Sequence, residues 1–458
     1  MPPHAPLPPL IDPLALVMTV LTLFVAAVVA GFARRYLRAD PRRRAFGWQF
    51  AALVGSVVVT VTAHNLALLA LGWVASGVLL ANLIGHDITW AEARAAARRA
   101  RIAFALGDAA LLAALVLLGG AAGSADLANV LAAVPAMPAM VIVPAAALLL
   151  VAAAVRCALP PFAGWLLSSM TAPTPVSALM HAGLVNAGGF LLIRFAPVMH
   201  HAPAVRLAAV ALGLIAALHG TGVMLVRPDV KRSLAGSTVA QMGFMIMTCG
   251  LGGYAAALWH IVAHGLFKAW LFLGSPSAIG MAPARKTAGS ADKVVPAIAL
   301  ITLALALAGV ARGEASQIPL LLGIATAAGA FGATLAASLR PGRLIATLTL
   351  GALLIGAHVL GLGLMGPLIG ADGPAILPPP ALVALLAAFL ALWVWQTRSR
   401  RLPTALYVFF MNTGALEHFQ QKRIPLLRPE MRPNRGPEHS HGATVATGAL
   451  AAPSAGEA

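Results

Sequence analysis

Apolar runs of about 20 residues recur along most of the chain, and they limit its possible folds more than any other feature. A helix of that length crosses the roughly 30 Å hydrocarbon core of a bilayer. Sixty per cent of the 458 residues are hydrophobic, 10% are charged, and the mean hydropathy is +0.88. Helices satisfy their own backbone hydrogen bonds inside lipid. The sequence therefore predicts an all-α polytopic membrane protein.

The runs divide the chain into a membrane domain and two flanking tails. Residues 1–13 are expected to form an extracytoplasmic tail ahead of a retained first span, 14–397 an ion-conducting transmembrane domain, 398–432 a basic cytoplasmic segment, and 433–458 a disordered tail. About thirteen spans are predicted, at roughly 14–34, 46–63, 65–85, 102–120, 141–170, 175–196, 206–226, 234–251, 253–274, 295–311, 316–339, 344–366 and 379–397.

The basic residues fall in alternate loops, which sets the expected orientation. Most of the 31 Lys and Arg side chains lie in 34–45, 86–101, 227–233, 275–293, 340–343 and the tail from Arg398. The opposite loops hold only Arg206 and Arg312. The positive-inside rule then predicts an outside N-terminus and a cytoplasmic C-terminus. It also explains the net charge of +17 without nucleic acid as a partner, and leaves the lipid bilayer as the surrounding medium.

One apolar run, LWHIVAHGLFKAWLFL (Leu258 to Leu273), carries His260, His264 and Lys268 at a spacing of four. On a helix this spacing puts them on one face, about 6 Å apart per step. Two structural alternatives remain: the histidines serve only to pack helices together, and the lysine snorkels toward the nearby helix end. Their alignment on one face favours a hydrated polar track.

Asp108 and Arg156 are the other charged candidates inside predicted spans. Asp108 has Arg101 seven residues earlier on the same helix face, so a structural ion pair is an alternative to a role in handling protons. Arg194 lies near the outer end of its span and can snorkel. Arg156 lies deep in its span, where a permanently charged group needs a partner or water.

Leu159-Pro160-Pro161 follows Arg156 closely. Two prolines remove backbone donors and clash with the preceding turn, which predicts a broken helix near Pro160 and Pro161 with carbonyls freed at membrane depth. A broken helix beside an intramembrane cation is typical of an ion pathway. The alternative is an ordinary loop followed by a short interfacial helix over 162–170.

Three blocks of sequence resemble a known family. They are Arg156 to Phe195, VRPDVKRSLAGSTVAQMGFM (Val226 to Met245) and the run with His260, His264 and Lys268; AHNLALLALGWVASG with the RIAFALGD that ends in Asp108 is a weaker fourth. Over about 60–275 the chain resembles the proton-conducting membrane transporter family, the antiporter-like subunits of NADH:quinone oxidoreductase and of multisubunit cation/proton antiporters.

The resemblance implies an antiporter-like fold and a role for the polar face. In that family such groups are thought to line a central hydrated axis that passes protons laterally, a role that would fall here to His181, His260, His264 and Lys268. Histidine titrates near neutral pH, and a desolvated lysine can release its proton. Asp108 and Arg156 complete the candidate ion pathway.

Three departures from the family pattern count against a redox-driven pump. Val74 follows Gly72-Trp73 where the family usually has glutamate. Arg156 replaces the usual lysine and is always protonated. A second broken helix with its own lysine or glutamate is expected later, but spans 316–339 and 344–366 offer only His358. Asp108 with Arg156 as a fixed charge is one arrangement that could supply coupling instead.

These departures favour a shorter branch of the family, the DabB-type membrane subunits of DAB inorganic-carbon accumulation complexes. The resemblance implies a bacterial inner membrane location, influx of protons or sodium ions, and a large soluble zinc-containing partner similar to β-carbonic anhydrase (DabA type), which would convert CO2 to bicarbonate. The chain is then a transporter subunit and not an enzyme. Its residues suggest no catalytic group, no cofactor and no metal site, since Cys157 and Cys249 cannot form a thiolate cluster.

The basic tail and two further functions complete the interpretation. Leu402 to Phe419 has an amphipathic pattern, and with loop 34–45 it is expected either to dock the soluble partner or to contact lipid as a topology-setting patch. The alternatives to the carbon-complex function are a subunit of a cation/proton antiporter or NADH:quinone oxidoreductase, and a membrane anchor that conducts nothing.

Overall fold

The computed structural model describes residues 12–278, 341–369, 376–398 and 403–411. These residues belong to one compact unit, Met1–Glu417. The predicted spans 295–311 and 316–339, the N-terminal tail up to residue 11 and the predicted disordered tail 433–458 lie outside the described residues. Most of the predicted basic segment 398–432 also lies outside them.

The described residues are helical or irregular, apart from one isolated bridge between Asn65 and Asp126. The helices are α1 (Pro13–Tyr36), α2 (Arg43–Thr62), α3 (Leu66–Ile84), α4 (Ala91–Ala122), α5 (Leu127–Ala133), α6 (Ala139–Arg156), α7 (Gly164–Ser168), α8 (Thr174–Ala182), α9 (Ala187–Arg194), α10 (Ala196–His200), α11 (Pro203–Val226), α12 (Val230–Leu251), α13 (Tyr254–Gly274), α14 (Pro341–Ile369), α15 (Pro379–Arg398) and α16 (Thr404–Met411).

Within the described residues, nine helical segments are long and apolar enough to cross a membrane. They coincide with the first nine predicted spans, counting α8 and α9 as one segment, Thr174–Arg194. The predicted spans 344–366 and 379–397 fall on α14 and α15. The all-helical membrane fold is confirmed, and the total of thirteen spans stays a prediction.

Helix α4 is longer than predicted. It begins at Ala91, so most of the predicted loop 86–101 is helix, and Arg94 and Arg101 stand on its first turns. Alanine and arginine are strong helix formers, and they extend the helix beyond the apolar run. Hydropathy marked the apolar part of the helix and missed this polar extension.

The break after Arg156 is present, but it precedes the diproline. Helix α6 ends at Arg156, and the N–H groups of Ala158 and Leu159 donate to the carbonyls of Val155 and Ala154. This is a Schellman end, with Ala158 at φ +53° in the left-handed position that glycine usually takes. Pro160 and Pro161 then prevent the helix from resuming, and the single predicted span 141–170 is divided between α6 and α7.

A second break, which the sequence analysis did not predict, separates α8 from α9. Helix α8 ends at Ala182, Gly183 leaves helical geometry, and a 3₁₀ turn over Leu184–Asn186 leads into α9. The side-chain Nδ2 of Asn186 donates to the Ala182 carbonyl at 2.8 Å. The freed backbone is covered by protein, since this segment is the most buried of the nine.

One face of the helix bundle carries a salt bridge that joins three helices. Arg194 Nη1 lies 2.6 Å from Asp12 Oδ2, and Arg194 Nη2 donates to the Val61 carbonyl at 3.1 Å. Asp12 also caps α1 through the Ala15 N–H. Arg194 is therefore tied to the start of α1 and the end of α2. Its partner is 182 residues away in sequence, so local patterning could not reveal it.

Arg206 was expected in a loop, and that expectation is wrong. The residue lies in the first turns of α11 with 1% of its surface exposed, and its Nε donates to the Gly250 carbonyl at 3.0 Å. A cation at the C-terminal end of α12 is stabilised by the helix dipole.

The opposite face gathers the basic loops. His86 Nε2 lies 2.9 Å from Asp40 Oδ2, Arg42 donates to the His86 carbonyl, and Lys231 Nζ donates to the Ala172 carbonyl at 3.3 Å. Loops 34–45 and 86–101 therefore meet directly. The start of α12 lies on the same side, next to the turn before α8. Thr174, the first residue of α8, donates a hydrogen bond to the Tyr36 hydroxyl at 3.3 Å.

Candidate functional site

The polar face of α13 is turned into the protein. Lys268 is 1% exposed and His264 is 5% exposed, while His260 is half-buried one turn further along. The rings of His260 and His264 stack with their centroids 5.6 Å apart. The predicted alignment on one helix face is therefore present in the structure, and the buried Lys268 does not snorkel to the membrane surface.

Gly265 lets α13 approach the broken end of α8. A Cβ at this position would lie 2.7 Å from the Ala182 carbonyl oxygen, closer than such atoms pack. The contact brings His264 beside the C-terminal turn that carries His181. The ring of His181 in turn stacks on Phe272 of α13, with centroids 4.1 Å apart. One small residue thus permits the two histidine-bearing helices to meet.

Helix α12 links His181 to Lys268 through two atoms. Lys268 Nζ donates to the Leu234 carbonyl at 3.1 Å, and Thr238 Oγ1 donates to the same carbonyl at 3.0 Å. His181 Nδ1 lies 3.0 Å from Thr238 Oγ1. Because the hydroxyl proton of Thr238 is used on Leu234, its oxygen must accept from His181 Nδ1–H.

This assignment fixes the tautomer of neutral His181. Its proton is on Nδ1, which leaves Nε2 as a buried acceptor with no hydrogen-bond partner among the described residues. The Nε2 atoms of His260 and His264 are also buried without such a partner. Buried polar atoms are normally satisfied by protein or by ordered water. The face therefore presents several adjacent nitrogen atoms suited to bind water and exchange protons.

Lys268 is held by a neutral backbone group and not by a fixed counter-charge among the described residues. In the described part of the chain, no carboxylate forms an ion pair with Lys268. A carboxylate at this place would hold the ammonium in one state. The neutral Leu234 carbonyl holds it more loosely.

Asp108 and Arg156 form a separate buried pair. Arg156 Nη2 lies 3.0 Å from Asp108 Oδ1 and donates to the Trp73 carbonyl at 2.6 Å. The guanidinium is sandwiched between Trp73 and Phe104, 4.6 and 4.8 Å from their ring centroids. The partner of Asp108 is therefore Arg156, and the alternative partner Arg101 does not form this pair.

A cavity adjoins Arg156 of this pair. It lies between α1, α2, α3 and the break after α8, and its wall includes Arg156, Ser76, Thr60 and Gly183 among mainly apolar residues. The cavity thus reaches from the Arg156 side toward the α8–α9 break whose last turn carries His181. In the described residues, no hydrogen bond joins the Asp108–Arg156 pair directly to His181, His260, His264 or Lys268.

The structure therefore sorts the six predicted site residues into two groups. His181, His260, His264 and Lys268 form one cluster, and Asp108 with Arg156 forms the other. Thr238, the Leu234 carbonyl and Trp73 were missed, although Thr238 stands in a block already singled out. Thr238 follows Leu234 by one helical turn, which is an ordinary pattern in a membrane helix. Its role becomes visible only when α12 is packed against α13. In the described residues, no group of three or more His, Cys, Asp or Glu side chains could hold a metal ion.

Family models match most of this fold. The model described as "NADH:quinone oxidoreductase/Mrp antiporter, TM" matches residues 63–353, and one described as "NADH-Ubiquinone oxidoreductase (complex I), chain 5 N-terminus" matches residues 4–47. The first match covers more than half of the chain. The chain belongs to the NADH:quinone oxidoreductase/Mrp antiporter transmembrane family, and it is a multi-pass membrane protein.

Curated relatives within the family fall into two kinds. The chain is 38% identical over 275 residues to the probable inorganic carbon transporter subunit DabB1 of Halothiobacillus neapolitanus, covering 59% of this chain and 49% of that protein. It is 39% identical over 272 residues to the corresponding DabB subunit of Bacillus subtilis, covering 59% and 54%. It is 37% identical over 272 residues to NADH-quinone oxidoreductase subunit L of Mycobacterium tuberculosis, covering 59% and 43%.

The fold is similar to that of a solved antiporter complex. A chain of the Mrp complex from a Dietzia species superposes with a TM-score of 0.56 at 24% identity, covering 93% of this chain and 50% of that one. This likeness confirms the antiporter-like fold. The chain spans about half the length of the curated relatives it matches.

Proposed function

We propose that this chain is the proton- or sodium-conducting membrane subunit of an inorganic carbon transport complex. The observation that carries the proposal is the buried row of Lys268, His264 and His260 on α13, joined to His181 through Thr238 and the Leu234 carbonyl. Ionisable groups are costly inside a membrane and are generally retained there for a function. A row of them on a face packed against other helices, away from lipid, is suited to pass a cation.

Protons fit this row better than a bare metal cation. Lys268 and a protonated histidine offer only donors, and nothing in the cluster described above supplies a set of carboxylates for sodium. Lysine and histidine can both gain and lose a proton, whereas Arg156 remains charged. In this arrangement Lys268 and the histidines move protons, and Arg156 with Asp108 acts as a fixed charge beside the cavity.

The carbon-complex assignment is supported by the relatives and by the departures from the redox-pump pattern. DabB subunits of two bacteria are about as similar to this chain as subunit L of NADH-quinone oxidoreductase is. The valine at position 74 and the arginine at 156 argue against alternating Glu–Lys pairs. In this proposal a large soluble carbonic-anhydrase-like partner holds the zinc and converts CO2 to bicarbonate, driven by cation influx through this chain.

The proposed orientation places the N-terminus outside and the C-terminus in the cytoplasm of a bacterial inner membrane. The contacts of Arg42 with His86, of Tyr36 with Thr174 and of Lys231 with Ala172 support it, because they collect the basic loops on one face. The same face, with the basic segment after residue 398, is the proposed docking surface for the soluble partner.

Proton uptake by proteoliposomes that contain the purified complex tests the conduction. Lys268→Arg keeps the charge and the donors toward Leu234 but cannot release a proton. We expect a rate at least about 100-fold lower, since a positioned proton-transfer group contributes roughly 100- to 10,000-fold. Lys231→Arg is the matched control, since Lys231 also donates to a backbone carbonyl but lies at the membrane face. A Lys268→Arg variant with the wild-type rate would show that only a fixed charge is needed.

Growth of a carbonic-anhydrase-deficient bacterium in ambient air tests the carbon assignment. The chain is expressed with the proposed large soluble partner, and the wild type is compared with Lys268→Ala at matched membrane levels. Rescue by the wild type alone supports the proposal. No rescue by an assembled wild-type pair would favour an antiporter or NADH dehydrogenase subunit, and equal rescue by both would favour a membrane anchor.

A further inference from the structure

Helix α14 makes a polar contact with α13 beside the row of titratable groups. Trp259 Nε1 of α13 lies 3.1 Å from His358 Nδ1 of α14. Gly361 makes room for this contact, because a Cβ there would lie 2.2 Å from the Trp259 ring. His358 and Gly361 are three residues apart and share one face of α14. The face that meets α13 thus carries a histidine and a gap shaped to the indole.

The chemistry of indole fixes the proton on His358. The Trp259 Nε1–H can only donate, so His358 Nδ1 must accept, and the neutral ring carries its proton on Nε2. His358 Nε2 is buried and has no hydrogen-bond partner among the described residues. The ring is therefore held at Nδ1 by Trp259, and its Nε2–H has no hydrogen-bond partner among the described residues.

His260 is the neighbouring group in the row. It lies close enough to His358 for an electrostatic interaction, and its own Nε2 is also buried without a partner in the part of the chain that the structure describes. Among the helices that the structure describes, α1 also packs on α14, and it carries no ionisable side chain between Asp12 and Arg34. His260 is thus the titratable group through which the row on α13 can affect His358.

Protonation of His358 is incompatible with the contact to Trp259. A proton that the ring takes up must add to Nδ1, since Nε2 already carries one, and Nδ1 is the atom that accepts from Trp259. The imidazolium then has an N–H on both nitrogens and no acceptor for the indole. The hydrogen bond between the two helices is lost, and the buried indole N–H is left without its partner, which is unfavourable.

We propose that His358 is a proton-controlled contact between α13 and α14: neutral, it binds Trp259 and holds the helices together, and charged, it releases them. The inference rests on the proposed function, because the row on α13 supplies the proton. It adds a step that conduction alone does not contain, the conversion of a proton in the row into movement of a helix. His358 is a positioning residue in this scheme, and Trp259 is its partner.

Nitrogen NMR of the full chain in liposomes tests the bond, with ¹⁵N-labelled histidine and tryptophan. The His358 signals are assigned by their absence in His358→Gln, and the Trp259 signal by its absence in Trp259→Phe. At neutral pH we expect His358 to be protonated on Nε2 with a hydrogen-bonded Nδ1. On acidification both His358 nitrogens become protonated and the Trp259 indole signal shifts. Protonation on Nδ1 at neutral pH would overturn the proposal.

Spin labels at the exposed positions Phe267→Cys and Leu364→Cys test the movement. In the wild-type background, acidification is expected to add a longer distance between α13 and α14. His358→Gln accepts from Trp259 and cannot be protonated, so its distance should stay short at both pH values. Trp259→Phe keeps most of the ring and loses the donor, so its distance should be long at both. An acid-induced lengthening in His358→Gln equal to the wild-type one would overturn the proposal.

A glycine pair on α14 supplies the matched control. Gly361→Ala should displace the Trp259 ring and give the long distance at neutral pH, whereas Gly363→Ala meets nothing within 4 Å and should behave as wild type. Equal distances in the two variants would contradict the proposed contact. These readouts need no ion flux. Loss of conduction with an intact His358 response would count against the proposed function alone, and normal conduction with no response would count against this inference alone.

Discussion

Two buried cations, Arg156 and Lys268, are held in different ways. Arg156 contacts a carboxylate, a backbone carbonyl and two aromatic rings. Lys268 makes one hydrogen bond, to the Leu234 carbonyl, and no ion pair within the described residues. A guanidinium with several fixed partners stays in place and stays charged, whereas a lysine with one neutral partner can change its protonation and position. The contacts therefore give the two residues separate roles.

The position of Arg156 depends on Gly77. A Cβ at residue 77 would lie 2.8 Å from Arg156 Nη2. We expect Gly77→Ala to push the guanidinium away from Asp108 and the Trp73 carbonyl and to lower the thermal unfolding midpoint, because a displaced buried charge loses its pairing. Gly55→Ala is the control, since nothing lies within 4 Å of its added Cβ. Equal midpoints for the two variants would show that the pair tolerates displacement.

At the scale of helices, the break after α8 and the close approach of α13 act together. The break takes the Ala182 carbonyl out of the helical hydrogen-bond pattern, and the absence of a side chain at Gly265 lets α13 lie against it. Histidines on the two helices then meet at the negative end of α8. A continuous α8–α9 helix would have no such end in the middle of the membrane domain.

A substitution at Gly265 tests this packing. The added methyl of Gly265→Ala meets a backbone carbonyl that cannot turn aside, so we expect α13 to shift and the free energy of unfolding to fall by about 1–3 kcal/mol. Gly274→Ala, on the same helix, meets nothing within 4 Å and should change little. Chemical denaturation in detergent compares the two variants. A Gly265→Ala protein as stable as Gly274→Ala would contradict the close approach seen here.

At the scale of the whole molecule, polar contacts join the loops on each membrane face. On the face with the basic loops, Asp40 connects loop 34–45 to the segment after α3 through His86. Partial burial of Asp40 raises the pKa of its carboxyl. The hydrogen bonds from His86 and from the Arg42 N–H outweigh this, so the pKa lies below its ordinary value.

This carboxylate predicts a pH dependence of stability. Because the pKa of Asp40 is lower in the folded protein than in the unfolded chain, its contribution is fully present above the unfolded pKa of about 4 and is lost as pH falls through the lower folded value. We expect the unfolding midpoint of Asp40→Asn to be below the wild-type one at pH 6 and to approach it near pH 3. The unfolding midpoints of both proteins, measured between pH 6 and pH 3, check this expectation. A constant difference between the proteins would assign the effect to another cause.

Patterns among neighbouring residues predicted the helices and the residues that share one helix face. The nine apolar segments and the row on α13 followed from hydropathy and from a spacing of four, since both depend only on neighbours along one helix. The early start of α4 and the break at Gly183 did not follow. Alanine-rich polar sequence extends a helix without raising hydropathy, and Gly183 in an apolar run has no distinctive signature.

The sequence by itself determined that this protein is helical and membrane-embedded, and that His260, His264 and Lys268 share a helix face, because lipid and helix geometry act on contiguous residues. Only the tertiary structure decided which groups meet. Asp108 pairs with Arg156, 48 residues away. His181 reaches Lys268 through Thr238, and Trp259 binds His358, 99 residues away. These contacts depend on how distant helices pack around small residues such as Gly77, Gly265 and Gly361, and the pattern within any one helix does not specify that packing.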